Sequence, residues 1–191
     1  MPNRVLVDAN VLYSRTLRDW LCLLYLEGEL LFSVHWTEDI LAETIYRLRR
    51  AHPEWSGLEI TKINDSIRGT FEGGRVDDFS DDTSYQGNDP NDRHVHAAAA
   101  TCHANILLTD DAGFAGPDGV EAAELPYEIY KPDQFFVLVD DASPDLVRRV
   151  TVEQQKYWLA KDGSANLPNA LRKAGCNDFA ERVRQHLQSL V

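Results

Sequence analysis

Val5-Leu6-Val7-Asp8-Ala9-Asn10-Val11-Leu12 is the stretch on which the fold turns. An apolar run of strand length ends on a carboxylate, and from Val11 apolar residues recur at helical spacing. A strand that passes at once into a helix is the opening of an α/β unit. An acid at the carboxyl end of a buried strand stands where open α/β sheets place their chemistry. The same acid is equally suited to cap the helix that follows. These residues alone leave both roles open.

Outward from this stretch, strand and helix patterns alternate. Leu17, Leu21, Leu24 and Tyr25 predict a helix over 11–26, stopped at Gly28. A short apolar strand is expected over 30–36. Thr37 suits an N-cap for a helix that runs to about Arg50 and ends before Pro53. Its apolar face is Ile40, Leu41, Thr44, Ile45 and Leu48, and Glu43 falls off the centre of that face, beside Asp39, Arg47 and Arg50. Ile60, Ile63, Ile67 and Phe71 predict another amphipathic helix, closed by Gly73-Gly74, and 75–79 reads as a short strand. Residues 80–88 are polar and read as a loop. Asp89-Pro90-Asn91-Asp92 is a helix start, with Asp89 as cap, Pro90 first in the helix and Asp92 third. The alanine run 97–100 allows that helix to pack closely on a sheet. Ile106-Leu107-Leu108-Thr109 has the continuous apolar character of a buried parallel strand, and it ends in Asp110-Asp111. Residues 127–130 and 135–139 read as further strand. From Ser143-Pro144 the pattern is helical alone, over 144–160, from Pro168 to Gly175, and through Phe179, Val183, Leu187 and Leu190. The expected architecture is α/β with a mainly parallel central sheet over 1–141, plus a C-terminal helical extension over 142–191.

Composition narrows the function classes. Charged residues make up 26% and hydrophobic residues 43%, an ordinary globular balance. No apolar run approaches the roughly 20 residues of a membrane span, so no membrane partner is expected. The opening residues lead directly into strand sequence and carry no signal-peptide pattern. Cys22, Cys102 and Cys176 are scattered, with no Cys-x-x-Cys pair, which fits a reduced, cytoplasmic protein. The net charge of −12 speaks against a passive nucleic-acid-binding module. It does not speak against a nuclease, because clustered acids are what a divalent metal site requires and the metal restores local positive charge.

The acids have such a pattern. Asp8 and the Asp110-Asp111 pair follow apolar strands, while Glu43 and Asp92 lie early on helices. In βαβ units, strand ends and the first turns of helices meet at one edge of the sheet. Two carboxylates about 4 Å apart repel by about 4 kcal/mol at an effective dielectric of 20. A converging set therefore needs a cation, and hard oxygen ligands suit Mg²⁺ or Mn²⁺.

Taken in order, Val-Leu-Val-Asp8-Ala-Asn10-Val-Leu, the helical Glu43, Asn88-Asp-Pro-Asn-Asp92-Arg-His-Val-His-Ala-Ala-Ala and Leu-Leu-Thr109-Asp110-Asp111 resemble a PIN-domain nuclease. Within that superfamily the chain looks like a VapC-type ribonuclease toxin of a bacterial toxin–antitoxin pair. The likeness covers roughly residues 4–140. It implies a three-layer α/β/α PIN-like fold, a Mg²⁺- or Mn²⁺-dependent endoribonuclease, an RNA substrate, a cognate antitoxin and, in some relatives, a homodimer. Asp8, Glu43 and Asp92 match the first three acidic positions of that family, and Asp111, with Asp110 as its rival, matches the fourth. Asp8, Asp92, Asp110 and Asp111 are the implied metal ligands. Asn10 and Thr109 would orient them, and Arg93 would touch RNA phosphate. Two departures stand out. Gly113 occupies a position where many relatives carry a further Asp, and the tail after Ser143 exceeds the minimal domain and resembles an extended subgroup.

Each residue has a plainer role open to it. Glu43 suits a solvated ion pair with Arg47 one turn on, Asp92 a capping acid, and His94, His96 and His103 surface positions. No Gly-x-Ser-x-Gly elbow or phosphate-binding Gly-rich loop suggests other hydrolases, and an aspartyl phosphatase would want an acid at Asn10. The competitor from another class is a catalytically silent PIN-like scaffold that binds a protein partner.

Overall fold

Val5, Leu6 and Val7 have no solvent exposure, as a central parallel strand requires. In the computed structural model, which describes residues 2–28, 31–80, 92–111 and 125–189, they belong to β1 (Asn3–Val7). This strand lies between β2 (Phe32–His35) and β3 (Ile106–Leu108), and β4 (Glu128–Tyr130) completes a four-stranded sheet in the order β2-β1-β3-β4. Every pairing is parallel, with Val5 opposite both Val34 and Ile106. The chain is thus α/β with a parallel sheet. Among the described residues no helix is long and apolar enough to cross a membrane.

Two compact units divide the chain, and they interleave in sequence. The first comprises residues 1–13 and 30–130, the second 14–29 and 131–191.

In the first unit, α1 (Ala9–Tyr13) follows β1 directly and packs against α3 (Glu38–Ala51). Thr37 caps α3 as expected, accepting the Ile40 N–H at 3.1 Å, and His52 ends the helix one residue before Pro53. The helix α4 (Gly57–Thr70) opens on a full capping box between Ser56 and Glu59. A single 3-10 turn at Glu72–Gly74 then brings the chain beside β2. The strand expected over 75–79 reduces there to one parallel bridge between Trp36 and Arg75. The helix α5 (Arg93–Thr101) buries Val95, Ala97, Ala98 and Ala99, the alanine face anticipated for close packing. Asp92 directly precedes it, without a side-chain cap bond. The expectations for Asp89 and Pro90, like that for Gly113, lie outside the described residues.

The second unit begins where the sequence pattern showed one helix and the structure has two. Ser14 breaks the expected 11–26 helix and caps α2 (Arg15–Glu27) through its hydroxyl. The strand expected over 135–139 is instead part of α6 (Pro132–Ala142). Aromatic and β-branched residues in an unbroken apolar run read equally as strand or buried helix. The start signals decide: Pro132 occupies the first turn, and Gln134 Oε1 accepts the Lys131 N–H at 3.1 Å. Three more helices follow, α7 (Pro144–Asp162), α8 (Leu167–Lys173) and α9 (Asn177–Gln188). Gly163 sits between α7 and α8 with φ of 69°, a left-handed turn favouring glycine. Phe179 anchors this unit's core, with its ring edge-on to Trp20 at 5.0 Å and beside Phe136 at 5.1 Å.

Candidate active site at the carboxyl ends of β1 and β3

The chain leaves β1 toward β2 on one side and returns later to β3 on the other. The sheet order therefore reverses at β1 and β3, and open α/β sheets bind ligands in the crevice outside such a pair of strand ends. Asp8 and Thr109 are the residues immediately after those strands.

Asp8 ends the strand and starts the helix. Its N–H donates to Leu108 O at 3.0 Å, continuing the β1–β3 ladder, and its carbonyl accepts the N–H groups of Val11 and Leu12 at 3.2 and 3.4 Å. Its carboxylate accepts the Ala9 N–H on Oδ1 at 2.5 Å. That bond ties the strand end to the first residue of α1 and uses only one oxygen.

The other oxygen is tied to β3. Thr109, fully buried, donates its hydroxyl to Asp8 Oδ2 at 2.7 Å, and Asn10 Nδ2 donates to the same oxygen at 2.7 Å. The Thr109 hydroxyl also accepts from Asn10 Nδ2 and from the Asp111 N–H, each at 3.0 Å. One donor and two acceptor sites are all a hydroxyl has, so Thr109 is saturated. Asn10 Oδ1 accepts the Asp110 N–H at 3.2 Å, binding the turn after β3 to the turn after β1. Asn10 and Thr109 therefore hold Asp8 in place.

The Asp8 carboxyl is pushed above the usual range, chiefly by burial, and the bonds from Thr109 and Ala9 pull it back. The charge of Glu43 pushes it further up and that of Arg47 lowers it. Glu43 lies half-buried on α3, and its Oε1 meets Arg47 Nη2 at 2.5 Å, the pairing one turn along the helix.

The remaining candidates are more dispersed. Asp110 and Asp111 turn their backbone N–H groups inward to Asn10 and Thr109, and both residues are exposed. Asp92 is half-buried at the head of α5, and Arg93 is exposed beside it. Among the described residues no group of three or more His, Cys, Asp or Glu side chains is placed to hold a metal ion. Asp8 and Glu43 are electrostatically coupled, but the structure does not gather all the sequence candidates into one cluster.

His96 departs from its expected surface position. It is 5% exposed, and its Nδ1 lies 2.8 Å from the Tyr127 hydroxyl. Burial lowers its pKa. Its neighbours Val95 and Ala97 to Ala99 are all buried, so the broad apolar face of α5 was the available signal.

The donor set suits a hard cation. Oxygen ligands are what Mg²⁺ takes, commonly one or two carboxylates completed by waters and substrate phosphate. Asp8 Oδ1 accepts one of the hydrogen bonds described and keeps acceptor capacity, and a cation near Asp8 would offset its repulsion from Glu43. No protein-family model, no curated protein and no solved structure matches this chain.

Proposed function

We propose that the protein is a metal-dependent endoribonuclease of the PIN-domain kind, with the three-layer α/β/α build of that superfamily, acting as the toxin of a type II toxin–antitoxin pair in the cytoplasm. The observation that carries this is the Asp8 carboxylate, buried at the point where the sheet order reverses and held there by Asn10 and Thr109. Support from the sequence is the ordered set Asp8, Glu43, Asp92 and Asp110-Asp111. RNA as substrate, an antitoxin partner and a homodimer rest on the family resemblance.

Asp8 would hold Mg²⁺ or Mn²⁺ together with Asp92 and Asp110 or Asp111, and Glu43 would complete the shell or orient the attacking water. The ion's chemistry there is activation of water and neutralisation of charge on the phosphoryl group. The chain's own residues do the positioning. Thr109 and Asn10 fix the Asp8 carboxylate and favour its charged form. Asn10 and Thr109 also hold the backbone of Asp110 and Asp111 at the crevice. Arg93 offers an exposed cation to a phosphate of the RNA backbone.

The test is incubation of purified protein, freed of any partner, with total cellular RNA in Mg²⁺, in Mn²⁺ and in EDTA, beside Asp8→Asn and Asp92→Asn. Discrete cleavage that needs metal and both acids is expected. Intact RNA in every lane, together with no metal binding by folded wild type, overturns the nuclease reading. It would favour the silent scaffold, for which the exposure of Asp110 and Asp111 and the existing Glu43–Arg47 pair already speak.

A further inference from the structure

In the second unit, the amino end of α2, the carboxyl half of α7 and the start of α8 line a half-open cavity of about 280 Å³. Ligand pockets begin at about 300 Å³, so this one suits a small molecule. Its chemistry is mixed in an ordered way. Gln154 lines it and is 5% exposed. Trp158 Nε1 donates to Gln154 Oε1 at 3.2 Å, which fixes the amide's orientation, since a flip would set two donors against each other. Gln154 Nε2 then has no hydrogen-bond partner among the described residues. Buried donors are normally paired.

Two further sources of positive potential border the same cavity. Arg15 and Thr16 open α2, and the first N–H groups of a helix have no partner within it and carry its positive end. The Arg15 guanidinium lies over the Trp158 ring, 4.7 Å from its centroid. One turn along stands the opposite charge. Asp19 pairs only loosely with Arg15, at 3.6 Å, and lines the same space. Trp20, buried, and Trp158 supply apolar wall.

Donors for a carboxylate, the acids Asp19 and Asp162 for an ammonium, and aromatic walls line one space and describe one class of ligand. We propose that this cavity binds a small zwitterion, a free α-amino acid. Its carboxylate meets Gln154 Nε2, Arg15 and the amino end of α2, its ammonium meets Asp19, and its side chain lies against Trp20 and Trp158. The site is independent of the nuclease reading, and nothing in its test depends on RNA cleavage. A glutamine on the buried stripe of α7, in line with Val147, Val150 and Thr151, was the trace of it in the sequence.

Calorimetric titration of the full chain with the protein L-amino acids, with tryptophan fluorescence as a second readout, tests this. At least one amino acid is expected to bind saturably. Its deaminated and decarboxylated analogues, each keeping one charge, should bind at least about tenfold more weakly. Gln154→Leu and Arg15→Met should each weaken the amino acid to a similar degree. Arg15 is exposed, so its variant keeps the test open if Gln154→Leu does not fold. Absence of binding by every amino acid, unchanged affinity in folded variants, or equal affinity for the deaminated analogue overturns the assignment.

Discussion

The Thr109 hydroxyl donates to Asp8 Oδ2 at 2.7 Å across 101 residues of sequence, joining the residue after β3 to the residue after β1. Thr109 has no exposure, and its three hydrogen-bonding sites are all used. Thr109→Val keeps the shape and removes them together. It removes one acceptor from the Asp111 N–H and one donor from Asp8. A loss of about 1–3 kcal/mol in urea unfolding is expected, with nuclease activity falling too if Asp8 acts as proposed. Thr109→Ser retains the hydroxyl and should recover most of both. Equal stability of Thr109→Val and wild type would show that this link contributes nothing.

Asp8 also gives stability a pH dependence of unusual sign. Its folded carboxyl holds the proton more tightly than the reference value of 3.8. Between that value and the raised one, the folded state binds more protons than the unfolded chain, so the Asp8 contribution to stability falls as pH rises through the window. Asp8→Asn lacks this titration, whereas Asp19, which is also raised by burial, is common to both proteins and cancels. The stability of wild type minus that of Asp8→Asn, measured in EDTA, should therefore decline from about pH 4 upward and then level off. A difference that grows with pH would mean that the carboxylate form is the favoured one.

Arg47 and a divalent cation would compete for Glu43. As a partly exposed pair one helical turn apart, Arg47 and Glu43 contribute only about 0.3–0.5 kcal/mol, so Arg47→Ala should leave stability nearly unchanged. The same substitution frees Glu43 and removes a repelling cation from beside Asp8. Calorimetric titration with Mg²⁺ should show tighter binding than in wild type. Unchanged or weaker binding counts against Glu43 as a ligand.

Much of the first unit was legible because its signals are local. Thr37 capping α3, Pro53 limiting it, and the continuous apolar run of β3 each depend on a few neighbouring residues. The Asp8 site was legible as residues but not as geometry. That Asn10 and Thr109 share one carboxylate oxygen follows from strand order, which periodicity does not report. The helix α6 was misread as strand because Phe135, Phe136, Val137, Leu138 and Val139 form an unbroken apolar run. Leu138 is in fact 37% exposed while Phe135, Phe136 and Val139 are buried, a helical spacing hidden by the exposed leucine. The break at Ser14 was hidden too, since apolar residues continue at helical spacing on both sides of it.

Gly74 is required where the chain passes the edge of β2. A Cβ there would lie 1.8 Å from the Val34 carbonyl oxygen, and that backbone atom cannot move without disturbing the sheet. Gly74 O also accepts the Trp36 N–H at 3.1 Å. Gly74→Ala should cost about 1–3 kcal/mol as an overpacking change. Gly73, where a Cβ meets nothing within 4 Å, is the control. Gly73→Ala should be neutral within about 0.5 kcal/mol. Similar melting temperatures for the two variants would show that the approach of Gly74 to β2 is looser than described.

The second unit depends on a cap supplied from a distant part of the chain. Cys176 precedes α9 and makes no side-chain cap bond. Asp133, in the first turn of α6, takes that role across the fold, with Oδ2 accepting the Asp178 N–H at 3.1 Å and Oδ1 the Phe179 N–H at 2.8 Å. A carboxylate at this end also meets the positive end of the α9 dipole. Asp133→Ala removes both acceptors and should cost about 0.5–2 kcal/mol, the usual loss for a cap. Asp133→Asn keeps one acceptor without the charge and should fall between Asp133→Ala and wild type. Because Phe179 packs edge-on to Trp20, loss of the cap should also alter the near-ultraviolet dichroism of the folded protein. Equal stability of all three proteins would mean that α9 is held by the packing of Phe179 alone and that Asp133 merely lies beside it.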